Sequence, residues 1–204
     1  MKILLKTLFI IAFLILITQT IRHGYQRWFR STISVLDRYE ETLKGDIKKA
    51  KSLDELVLKY EDVNKQVKDY EADKANPIIE PQDKWEKEPY KSEVTVKEAI
   101  NDWESKSKEI HELRFYWTCG LLLVILGYLS YFKFNQWAGV SLLISGFAEI
   151  IYWTSPSFIR ESSVEFERLL TNKFIFSLLS FILLTLVASG LKILSNGSTD
   201  KKNT

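Results

Sequence analysis

Four runs of apolar residues, at 1–21, 115–132, 137–153 and 174–194, constrain this 204-residue chain more than any other feature. Each is close to the ~20 residues a helix needs to cross about 30 Å of hydrocarbon. They predict an all-α membrane protein with four transmembrane helices. Aromatic belts mark their ends, as expected where amphipathic rings sit at headgroup level. Tyr116 and Trp117 open the second run, and Tyr128, Tyr131 and Phe132 close it. Trp137 opens the third, Tyr152 and Trp153 close it, and Pro156 stops that helix. In the first run only Lys6 intrudes, near enough to the end to snorkel.

That first run resembles a secretory signal, with Lys2 and Lys6 ahead of an aliphatic stretch. It ends in Thr18, Gln19, Thr20, Ile21 and Arg22, without a small-x-small cleavage pattern, so it reads as an uncleaved signal anchor rather than a removed peptide.

Charge is segregated. Residues 22–114 hold 19 Lys/Arg and 21 Asp/Glu, net −2, while the rest of the chain is net +4. Such a distribution fits a membrane protein with one soluble segment between its first two spans. A net-acidic soluble part excludes a nucleic-acid partner, because phosphate binding needs clustered cations. The single cysteine, Cys119, lies in a span, so no intramolecular disulfide can form.

Periodicity makes the soluble segment a coiled-coil-like helical stalk. Phe29, Ile33, Leu36, Leu43, Ile47 and Ala50 recur at three- and four-residue steps, predicting a first helix. Ser52 and Glu55 form a capping box for a second, whose seam is Leu53, Leu56, Tyr60, Val63, Val67 and Tyr70. A strap at 76–94 carries Pro77, Pro81 and Pro89, and its Ile78, Ile79, Trp85 and Tyr90 are candidates to dock on the helices. A second capping box, Thr95 and Glu98, predicts the start of a third helix, with Val96, Ile100, Trp103, Ile110 and Leu113 as its seam. No breaker separates it from the span at 115–132. The seams either pack on one another within the chain or pair between copies, in which case the stalk is an oligomerisation device.

Four crossings put both termini on one face of the bilayer and the stalk on the other. Nine Lys/Arg flank the spans on the stalk side and six on the terminal side, so the positive-inside rule places the stalk in the cytoplasm. A signal-like start argues for the opposite orientation. The expected location is a membrane of the bacterial inner-membrane type.

Chemistry-bearing residues are few. Glu149 is the one acidic residue within a span, and an intramembrane carboxylate is by default a functional-site hypothesis. Gly120 and Gly127, then Gly139 and Gly146, form small-residue stripes seven apart that allow close helix approach in a hairpin joined by residues 133–136. His23 and His111 sit at membrane ends of helices and read as wet surface residues, with no metal-ligand spacing. Residues 154–173 form a loop with an interfacial helix opened by Ser162 and Glu165, and 195–204 a disordered polar tail. No phosphate loop, dinucleotide fingerprint, zinc helix or nucleophile elbow occurs, so no catalytic, cofactor-binding or metal residue is assigned.

The expected function is therefore non-enzymatic: a scaffold anchored in the lipid bilayer, acting through the stalk on a protein partner or a second copy. An oligomeric ion channel or membrane effector using Glu149 is the alternative, and a small membrane enzyme comes last.

Overall fold

The computed structural model describes residues 2–29, 43–73, 76, 77, 79, 80, 83, 84, 86–156 and 164–192. All regular structure among them is helical: α1 (Lys2–Trp28), α2 (Leu43–Lys49), α3 (Leu53–Ala72), α4 (Tyr90–Lys133), α5 (Gln136–Trp153) and α6 (Val164–Gly190). They fall into two compact units. One takes α1, α4 from His111 onward, α5, and α6 from Leu170 onward; the other takes α2, α3, α4 up to Ile110 and the first turns of α6.

In the first unit, the packed interior is Leu5, Phe9 and Leu16 of α1, Val124 of α4, Val140, Leu143, Phe147 and Ile150 of α5, and Leu184, Val187 and Ala188 of α6. The outside is just as apolar. Leu14 is 58% exposed, Leu122 55% and Leu186 66%. Helices this hydrophobic all round need an apolar solvent rather than water. Three of them, α1 from Leu5, α4, and α6 from Glu165, are long and apolar enough to cross a membrane. The protein is membrane-embedded on that ground. α5 is not among the three: its 18 residues suffice in length, but Gln136 at one end and Glu149 a turn before the other lower its hydropathy.

Hydroxyls inside these helices bond back to their own turns. Thr18 Oγ1 donates to Leu14 O at 2.7 Å, Thr20 Oγ1 to Leu16 O at 2.8 Å, and Ser180 Oγ to Phe176 O at 2.6 Å. In hydrocarbon a polar group has no water to turn to, so the preceding carbonyl is its cheapest partner.

The second unit is built on α3. Ser52 caps it, accepting from Glu55 N at 3.3 Å, while Glu55 reaches back to Lys51 N at 2.8 Å. Leu56 of α3 is wedged against Trp103 of α4 and Ala50 beyond α2, with Ile47, Leu53, Ala99 and Ile100 around them. At the other end of α3, Tyr70 meets Tyr90 edge to face at 6.2 Å. The early part of α3 thus touches the later part of this stretch of α4, and the end of α3 touches its start, so the two run antiparallel.

Several boundaries differ from expectation. α1 continues past residue 21 to Trp28, because Arg22, His23 and Gly24 do not break a helix that neighbours hold. α4 begins at Tyr90, not Thr95; the Glu88 carboxylate accepts from Ser92 N at 3.2 Å and supplies the start signal. Thr95 is interior, its hydroxyl bonded to Lys91 O at 2.7 Å. α6 is one helix of 27 residues, since its sequence holds no glycine or proline before Gly190. Residues 33 and 36 of the first seam, Ile78, Pro81, Trp85, Ser162 and the tail at 195–204 lie outside the described residues.

Candidate functional site

The α3 seam is used inside the chain. Leu56, Val63 and Val67 are buried, while Leu53, Tyr60 and Tyr70 are half-buried at its edges. Tyr60 Oη reaches Glu93 Oε1 at 3.5 Å, and Lys97 Nζ donates to the same oxygen at 2.7 Å, which raises the Lys97 pKa. Tyr90 Oη donates to Glu71 Oε1 at 2.8 Å; this bond pushes the phenol up to about 12. Lys84 Nζ sits 4.2 Å above the Tyr90 ring.

All four stripe glycines meet at the α4–α5 contact. A Cβ on Gly120 would lie 2.9 Å from Gly146 O, and one on Gly146 would lie 2.7 Å from Gly120 O. On Gly127 it would lie 2.7 Å from Leu143 N and 2.9 Å from Gly139 O; on Gly139, 2.5 Å from Tyr131 N. Facing pairs are therefore 120 with 146 and 127 with 139, the register of a hairpin turning at Phe134 and Asn135, where the Asn135 side chain caps α5 through Trp137 N.

Glu149 faces its own helix. Its carboxylate is half-buried and accepts from Trp153 Nε1 at 2.9 Å, and the Trp153 ring stacks on Tyr116 at 4.4 Å and 3°. Sequence reasoning missed the residues beside it. The C-terminus of α5 ends in carbonyls that no later turn can satisfy. Side chains from two other helices satisfy them. Gln19 Nε2 donates to Ile151 O at 3.2 Å, and the Thr154 hydroxyl, with one proton to give, lies 2.9 Å from Gln19 Oε1 and 2.8 Å from Ile150 O. The Nε2 of His23 lies 2.8 Å from Thr154 O, and Lys173 Nζ donates to Ser155 O at 2.7 Å.

Gln19, His23, Thr154 and Lys173 are all buried. A carbonyl opposite Nε2 requires a proton on that nitrogen; Nδ1 and Gln26 Oε1 have no hydrogen-bond partner among the described residues. His23 is thus interior, a correction to its reading as a wet residue, while His111 is exposed as expected. A signal for the cluster existed in the polar quartet Thr18, Gln19, Thr20 and His23 within an aliphatic helix, but its partners lie more than 130 residues away. Nearby, Arg27 Nε donates to Thr171 Oγ1 at 3.0 Å, Arg114 donates to Asn172 Oδ1 at 3.1 Å, and Trp117 Nε1 donates to Ser180 Oγ at 2.8 Å.

The cluster's chemistry is that of a helix cap: donors on carbonyls, and one cation at the negative end of the α5 dipole. Among the described residues no three His, Cys, Asp or Glu are grouped so as to hold a metal. Compared with known proteins, the chain matches no family model, no curated protein and no solved structure.

Proposed function

We propose that the chain is a multi-pass protein of a bacterial-type inner membrane that crosses the bilayer four times. On this reading it works without catalysis, by presenting its helical stalk to a protein partner or a second copy. The fourth crossing is α5. At 18 residues it is about 27 Å long, close to the hydrocarbon thickness. Its glycines touch the apolar half of α4 at two successive levels, so α5 shares that half's depth. The flanking charges put the stalk in the cytoplasm. With Lys84→Cys in a Cys119→Ser background, an impermeant thiol reagent is expected to leave intact cells unlabelled and to label opened ones. Labelling of intact cells would reverse the orientation.

The observation that carries the interaction reading is the division of labour on α3. Its seam is filled from within the chain, yet Val57 is 39% exposed and Leu58 65% on the outer face of the same helix. A partner has that face to use, not the seam. Polar substitutions at Leu56 or Val63 would therefore report folding. Val57→Glu with Leu58→Glu is expected to lower recovery of a cross-linked complex on the order of tenfold, with membrane insertion and melting unchanged. A protein that is monomeric after mild extraction, with nothing cross-linked to it, would sink the reading. Glu149 favours this over a channel, because its carboxylate is engaged by Trp153 of its own helix.

A further inference from the structure

An apolar groove runs between α1 and α5. It has a volume of about 160 Å³ and only apolar lining residues, among them Leu8, Ala12 and Ile15 of α1 and Ile144, Ala148 and Ile151 of α5. The two alanines leave the space that larger side chains occupy elsewhere along the pair. Ile15 also lines a second cavity of about 370 Å³, which continues along α1 past Thr18 and Gln19 to Arg22 and Pro156. Leu8 to Arg22 is fourteen residues of helix, a rise of about 21 Å. One leaflet contributes roughly 15 Å of hydrocarbon. A slot of about one leaflet's depth, apolar from Leu8 to Ile15 and bordered by Thr18 and Gln19 beyond, therefore leads to an exposed guanidinium.

We infer that this groove is a binding site for one acidic glycerophospholipid, with an acyl chain between Ala12 and Ala148 and the phosphate on Arg22. The apolar part has no donor or acceptor for water to use, and an unfilled slot forfeits the dispersion contacts of its walls. A lipid tail is the apolar chain present at this depth. Arg22 supplies the complementary charge, and its planar fork matches phosphate oxygens two at a time. A zwitterionic headgroup neutralises its own phosphate, so a net-anionic lipid gains more from this cation.

The inference rests on α5 lying in the bilayer. In native mass spectrometry from mild detergent, the protein is expected to retain one phosphatidylglycerol on the order of tenfold better than phosphatidylcholine, about 1.4 kcal/mol. Arg22→Gln is expected to bring the two lipids level. Ala148→Phe, at an exposed position, fills the slot and is expected to lower retention of both. Equal retention of the two lipids by the unaltered protein, or retention unmoved by Ala148→Phe, overturns the site. So does a dimer that Ala148→Phe converts to monomer, which would make the occupant a second copy. Ile144→Cys in a Cys119→Ser background separates this from failure of the fourth crossing: labelling of Ile144→Cys by an impermeant reagent in opened membranes removes α5 from the bilayer, whereas an unlabelled cysteine with equal retention removes only the lipid site.

Discussion

Replacing Gly139 by leucine will force α4 and α5 apart and destabilise the protein. A Cβ at 139 meets Tyr131 N at 2.5 Å and Tyr131 Cα at 2.6 Å. Both are backbone atoms, so no rotamer change relieves the overlap; the helix axes must separate by roughly 1 Å to restore ordinary contact in a close-packed interior. Overpacking of this kind costs typically about 1–3 kcal/mol, with leucine at or beyond the upper end and alanine near the middle. About 2 kcal/mol lowers the melting midpoint of a chain this size by roughly 4–8 °C. Gly146→Leu is expected to act alike, because its Cβ would meet Gly120 O at 2.7 Å and Val124 N at 2.9 Å. Ser145→Leu is the control: Ser145 is exposed on the same helix, and added bulk there should move the midpoint by no more than about 1–2 °C. A Gly139→Leu protein melting with the unaltered one would mean that the α4–α5 approach is looser than these distances, and the argument for placing α5 at the depth of α4 would fall with it.

The helices and the hairpin were legible in the sequence because each rests on a local pattern. Apolar runs mark the helices long enough to span, three-four spacing marks α3, and the glycine stripes mark the face on which α4 and α5 meet. The cap at Ser52 is equally local, resolved within three residues. Thr95 failed as a cap for a reason that was also local but overlooked: Pro89 and Glu88 already supply a helix start, and a threonine two turns in simply bonds backwards. Burial of His23 and Lys173 was not legible. Each follows an ordinary amphipathic position on its own helix, and only the end of α5, remote in sequence, turns it inward. Polar caps made between helices carry no local signature, since the group that needs them and the groups that provide them are read separately. The α3 seam shows the reverse limit: its spacing gave the buried face, but not whether the partner was this chain or another.

Lys173→Met is expected to lower stability by about 2 kcal/mol although it removes a buried charge. Two effects oppose one another. Burying an ammonium costs several kcal/mol of hydration, which methionine recovers, so replacement of buried ions by apolar residues is at times stabilising. Against that, Lys173 is only 3% exposed and its ammonium is already committed, donating to Ser155 O at 2.7 Å where the α5 dipole is negative. A hydrogen bond from a charged donor contributes about 1.5–3 kcal/mol, the dipole adds up to ~1, and a stranded buried carbonyl keeps its own desolvation penalty. The stem of lysine also allows its head to lie near the headgroup region, so the hydration recovered by methionine is smaller than for an ion at the bilayer centre. The balance favours lysine. Lys173→Gln retains a donor without the charge and should fall between the two, separating the bond from the dipole. Thermal melting in one detergent, with all three proteins at equal concentration, reads the order directly. A Lys173→Met protein as stable as the original or more so would show that ammonium burial outweighs the cap, and would shift the securing of the α5 end to Gln19 and His23 alone.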